Sequence, residues 1–98
     1  MAYEIEWTQN AESTYSDIVH YLAEEWSVDI ASKFIDNVES KLLLLSQFPH
    51  IGRKSAKRSQ VRKYPLSRQN MLVYQLIGET ILILYIYDTR QNPDSHKF

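Results

Sequence analysis

The rhythm of polar and apolar residues changes along this chain, and each change marks an element. Tyr3, Ile5 and Trp7 alternate with Glu4 and Glu6, the period of a half-buried strand. From Ala11 the apolar positions fall at Tyr15, Ile18, Leu22 and Trp26, one stripe of a helix that Thr8 or Asn10 can cap. Ser27 is placed to cap a second helix with the stripe Ala31, Phe34, Ile35, Val38, Leu42 and Leu45. Asp29 in its first turn complements the helix dipole, and Pro49 and Gly52 close it. Two amphipathic helices with almost no linker predict a helical hairpin laid on a sheet. Trp7 and Trp26 are expected to anchor the core at the seam between strand and helices.

The second half changes to strand period. Three runs, about Gln60–Leu66, Met71–Ile77 and Thr80–Tyr87, are rich in β-branched and aromatic residues. Pro65 lacks an N–H, which places the first run at an edge or bends it there. Gly78-Glu79 between the second and third runs is a two-residue hairpin signal of type II′. The run Ile81–Ile86 is apolar without alternation, predicting a central strand covered on both faces. The tail from Thr89 reads as irregular. The expected architecture is a single α+β domain over residues 1–98, ordered β-α-α-β-β-β, with the N-terminal helical hairpin packed on a mainly antiparallel four-stranded sheet.

Charge adds what the hydrophobic pattern omits. Residues 1–39 carry nine acids and one base, Lys33, while residues 40–78 carry eight bases and no acid. Seven of the eleven Lys and Arg residues lie between Arg53 and Arg68, namely Arg53, Lys54, Lys57, Arg58, Arg62, Lys63 and Arg68. A net charge of −1 therefore hides a molecule with one acidic and one basic side, which steers a polyanion toward one face only. Arg53, Lys54, Lys57, Arg58, Arg62 and Arg68 of this stretch, with Arg90 in the tail, are the candidate target- or anion-binding residues; solubilisation is the simpler alternative.

Other classes are excluded early. The chain has no cysteine, so disulfides, thiolate chemistry and Cys-ligand metal sites drop out, and no metal or cofactor is expected. The apolar run Ile81–Tyr87 is too short to span a bilayer. Acids at the N-terminus stand where a secretory signal would carry bases, so a cytoplasmic location is expected.

Several stretches, in order, resemble the RelE/ParE superfamily of bacterial toxins from type II toxin–antitoxin modules. They are LLLLSQFPHIGR (Leu42–Arg53), QVRKYPL (Gln60–Leu66) and MLVYQLIGETILILYIYDTRQNP (Met71–Pro93). The resemblance implies a toxin neutralised by a cognate antitoxin protein, with one of two targets. ParE-like members poison DNA gyrase; RelE-like members are metal-independent endoribonucleases that cut mRNA in the ribosome. In the nuclease reading the resemblance assigns phosphate-holding roles to Arg62 and Arg90 and a terminal acid/base role to His96. A histidine near neutral pKa suits proton transfer. The chain departs from the nuclease pattern at Met71, where an arginine is expected, and at Tyr64, where a lysine is expected. A thioether offers nothing to a phosphorane, and losing one such donor costs roughly 10²–10³ in rate. His50 reads as a loop residue and His20 as a helix-boundary one. The resemblance therefore points to a ParE-like toxin that binds gyrase. The mRNA endoribonuclease and a non-toxic antitoxin-binding homologue are the alternatives.

Overall fold

Thr8 ends the first strand and starts the first helix with a single hydroxyl. Its Oγ1 accepts from the Ala11 N–H at 3.0 Å, the cap of α1 (Gln9–Glu25), and donates to the carbonyls of Ile83 and Leu84. Ser27 repeats the capping for α2 (Val28–Gln47), accepting from the Ile30 N–H at 3.1 Å. The computed structural model describes residues 2–58 and 60–89.

Five strands form the sheet: β1 (Glu4–Trp7), β2 (Arg53–Lys54), β3 (Val61–Pro65), β4 (Asn70–Ile77) and β5 (Thr80–Asp88). Their order is β1-β5-β4-β3-β2, with β1 parallel to β5 and every other pair antiparallel. The expected architecture holds, with one strand added. The added strand is β2, a two-residue piece inside the basic stretch that hydrophobic periodicity passes over because neither residue is apolar.

The helical hairpin covers one face of the sheet. Alternate residues of β3, β4 and β5 point into it: Tyr64, Leu72, Tyr74, Leu76, Ile81, Ile83 and Ile86 pack with Ala11, Phe34, Val38 and Leu45. The expectation that Ile81–Ile86 is covered on both faces is not met. Burial alternates along β5, and a bulge opposite Val73/Tyr74 inserts Leu84 so that Ile86 returns to the helix side. The Gly78-Glu79 turn is as expected: Gly78 has φ +59° and no described non-glycine residue has positive φ, the pattern of a type II′ turn. Pro65 also lies where expected, on the part of β3 that β2 does not pair.

Trp26 departs from expectation. Trp7 packs against the core, but Trp26 forms the C-cap of α1 and is 66% exposed. The helix ends at Glu25, one residue short of it, so the helical stripe does not carry Trp26 inward. Tyr21, Val28 and Ile30 are also exposed around this tip of the hairpin.

Candidate functional site

The basic stretch folds into one edge of the sheet and keeps its charges close. β2 pairs with β3 so that Arg53 stands opposite Lys63 and Lys54 opposite Arg62. Two like-charged pairs therefore face each other directly across a ladder, an arrangement that opposes folding by roughly 0.2–1 kcal/mol per pair. Lys57 and Arg58 lie in the short connection between the two strands. That connection is fixed by Ser55 N–H donating to the Val61 carbonyl at 2.8 Å and Val61 N–H donating to Arg58 O at 3.1 Å. Arg53, Lys54, Lys57 and Arg58 are all exposed. The seventh residue of the set separates: Arg68 sits beyond the far end of β3, a strand's length or roughly 17 Å away at about 3.3 Å per residue.

What holds this edge in place is a buried phenol. Tyr74, fully buried on β4, donates its hydroxyl to the Pro49 carbonyl at 2.8 Å and accepts from the Gly52 N–H at 3.0 Å. Arg62 completes the clamp, donating through one guanidinium nitrogen to His50 O at 3.0 Å and Gly52 O at 2.7 Å. Only glycine fits at position 52, since an added Cβ would lie 2.5 Å from the Tyr74 hydroxyl and 3.0 Å from the Lys63 carbonyl. Burial raises the Tyr74 pKa above its usual 10.0, opposed by the Gly52 N–H and the Arg62 charge and reinforced by Tyr64. The loop that delivers Arg53 and Lys54 to the edge is thereby tied to the core at four backbone groups.

The same geometry bears on the nuclease pattern. Arg62 is paired with Tyr74 and so belongs to the helix side of the sheet, with its guanidinium on the Pro49–Gly52 loop. Met71 is opposite Tyr87 on the other side, in the same set as Lys63, Val73 and Tyr85. Lys63 Nζ stands 5.6 Å from the Tyr87 ring centroid, and Tyr85 and Tyr87 are 5.9 Å apart. The sheet thus puts Arg62 and the residue at Met71 on opposite faces. Arg90 and His96 lie outside the described residues. His50 contributes its carbonyl to the clamp, and His20 is exposed on α1. Among the described residues no group of three or more His, Cys, Asp or Glu is placed to hold a metal.

A groove of ≈ 520 Å³ between α1 and the end of β5 went unforeseen in the hydrophobic pattern. Thr14, Asp17, Ile18 and Tyr21 line one wall, and Tyr85, Tyr87 and Asp88 the other. β1 pairs with β5 only as far as Ile83, and the Ile86 N–H beyond it donates to Thr14 Oγ1 at 3.1 Å. The signal was present in part: the stripe of α1 includes Ile18 and Leu22, which the structure leaves half-buried.

Known structures share this fold at low identity. The chromosomal ParDE TA system from P. aeruginosa superposes with a TM-score of 0.73 at 20% identity, covering 89% of this chain and 96% of that one. The isolated E. coli RelE toxin gives 0.63 at 16% identity, covering 96% and 92%. The toxin–antitoxin complex RelBE2 from Mycobacterium tuberculosis gives 0.62 at 16%, covering 90% and 99%. These likenesses establish the architecture alone. Sequence carries the family: Toxin ParE3 of Caulobacter vibrioides is 36% identical over 72 residues, 72% of this chain and 71% of that protein. The sequence model of the family described as "ParE toxin of type II toxin-antitoxin system, parDE" matches residues 5–93, from β1 through β5. The chain belongs to the ParE toxin family of type II toxin–antitoxin systems.

Proposed function

We infer that this toxin inhibits growth by docking its β2–β3 edge on a macromolecular target, DNA gyrase, and that a cognate antitoxin neutralises it. The observation that carries the docking edge is the double like-charge pairing of Arg53 with Lys63 and Lys54 with Arg62. A fold that needed only solubility would gain stability by alternating the signs. Keeping Arg53 and Lys54 opposite two more cations, on a strand whose entry loop is clamped by Tyr74 and Arg62, is what a rigid docking edge for an anionic surface requires. The target's identity follows the family's ParE character, together with the thioether at Met71 and an Arg62 guanidinium engaged by the His50 and Gly52 carbonyls, which leave a phosphate without the donors a nuclease needs. A gyrase target implies the cytoplasm. No helix among the described residues is long and apolar enough to cross a membrane.

The antitoxin's place is the groove between α1 and β5. Strand addition to that edge is disfavoured at Ile86, because Thr14 already holds its amide. An amphipathic segment can instead seat apolar side chains against Ile18, Leu22 and Tyr85. Exposed Tyr21 on the groove wall and Trp26, Val28 and Ile30 around the hairpin tip extend the apolar surface such a segment would cover.

The test is a purified system. With gyrase and plasmid DNA, the protein is expected to accumulate cleaved DNA, and prior addition of antitoxin to prevent it. Codon-phased mRNA cuts at ribosomes in expressing cells, with gyrase untouched, would support the endoribonuclease reading instead. Harmless expression without antitoxin would favour a homologue that only binds antitoxin.

A further inference from the structure

At the opposite edge of the sheet from the basic strands, β1 and the helical hairpin enclose a cleft of ≈ 420 Å³ lined by Trp7, Glu12, Tyr15, Val38, Glu39 and Leu42. Helical spacing builds it. Glu12 and Tyr15 are one turn apart on α1, and Val38, Glu39 and Leu42 occupy one side of α2. The aromatic wall is fixed in place: the Tyr15 ring is 5.3 Å from Trp7 at 51° and 6.0 Å from Phe34 at 30°. Val38 is buried and Leu42 half-buried, giving an apolar floor, while Glu12 and Glu39 are exposed at the rim. Burial raises the Tyr15 pKa, and the Glu39 charge raises it further. Lys33 is the only base in residues 1–39, against nine acids.

Aromatic faces under two carboxylates, over an aliphatic floor, are the chemistry that recognises an organic cation. We propose that this cleft is the docking site for an arginine side chain presented by a partner polypeptide. The aliphatic stem lies against Leu42. The planar guanidinium stacks on the aromatic wall and donates to Glu12 on one helix and Glu39 on the other. A lysine ammonium has neither the plane to stack nor donors on two edges. The volume lies at the lower end of ligand-sized sites, which run about 300–1,000 Å³. The cleft shares no residue with the α1–β5 groove or the basic edge, so this anchor does not depend on the identity of the toxin's target.

The chain has two tryptophans, so a Trp26→Phe variant leaves Trp7 as the only one, and its fluorescence reports on the cleft. The full chain would be titrated with acetyl-Ala-Arg-Ala-amide and with the same peptide carrying citrulline, the neutral isostere. A saturable Trp7 response to the arginine peptide is expected, with citrulline binding about tenfold more weakly, as for losing a charge-assisted hydrogen bond. Glu39→Gln, at an exposed position, is expected to weaken the arginine peptide without changing the circular dichroism spectrum. Equal responses to both peptides, or an unchanged affinity in Glu39→Gln, would overturn the proposal. So would tetramethylammonium binding as tightly as the peptide, since the occupant would then be a small cation and not a polypeptide anchor.

Discussion

The helical hairpin and the β2–β3 edge are built by opposite logic. In the hairpin, the local signals agree with the structure everywhere but at Trp26. Thr8 and Ser27 cap the two helices, Glu12 and Asp29 sit in first turns where the dipole favours them, and the stripes face the sheet. At the edge, local signals oppose the structure. Arg53 and Lys54 have little strand preference and meet two more cations across the ladder. The edge exists because Tyr74 and Arg62, from neighbouring strands, seize the backbone of Pro49, His50 and Gly52. A segment held against its own charge from outside is under a constraint other than folding, and that is where a binding face is to be sought.

The comparison breaks most sharply at Tyr74. Tyr74→Phe keeps the ring but strands the Gly52 N–H and the Pro49 carbonyl, each at about 1–3 kcal/mol when buried. A loss of about 3 kcal/mol in a urea titration is expected; a loss under about 0.5 kcal/mol, the level of an ordinary surface substitution, would mean the phenol is not the clamp. The same group makes stability depend on pH. Its folded pKa lies above 10.0, so the folded state holds the proton where the unfolded chain releases it. The contribution is therefore complete below pH 10.0 and is lost as pH rises through the folded pKa. Thermal melts should show a steeper fall above pH 10.0 in the parent protein than in Tyr74→Phe.

On the hairpin side the effects are smaller and local. Thr8→Ala removes the cap of α1 and the hydroxyl's contact with the Ile83 and Leu84 carbonyls, with an expected loss of about 1–2 kcal/mol. Hydrogen exchange should show the first turn of α1 loosening before the basic edge does. Smallest in size, and opposite in sign, is Arg53→Glu. It turns the pair with Lys63 from repulsive to attractive, so stability should rise by about 0.5 kcal/mol and the gain should shrink in high salt.

The hairpin was legible in the sequence because helical period, caps and breakers all reside within a few residues of one another. The antiparallel β3–β4–β5 series was legible for the same reason, down to the turn at Gly78. What escaped depends on distant partners. β2 is a strand only because β3 lies beside it, and nothing apolar announces it. Trp26 looked like core because it continues the stripe of α1, yet the helix stops there and leaves it in solvent. Arg62 carried a family resemblance to a phosphate ligand, and only the register with Tyr74 shows its guanidinium committed to backbone carbonyls. The basic stretch itself was conspicuous from composition. That its charges would be set opposite one another was not, because register is a property of two strands together.

In the proposed function the β2–β3 edge gives up stability to serve as a docking face. The most direct measurement is gyrase-dependent DNA cleavage by the parent protein and by Arg53→Glu/Lys54→Glu, at matched concentration, with both confirmed folded by thermal melts. The double variant is expected to melt no lower than the parent and to produce no cleaved DNA. Cleavage undiminished in the double variant would contradict it.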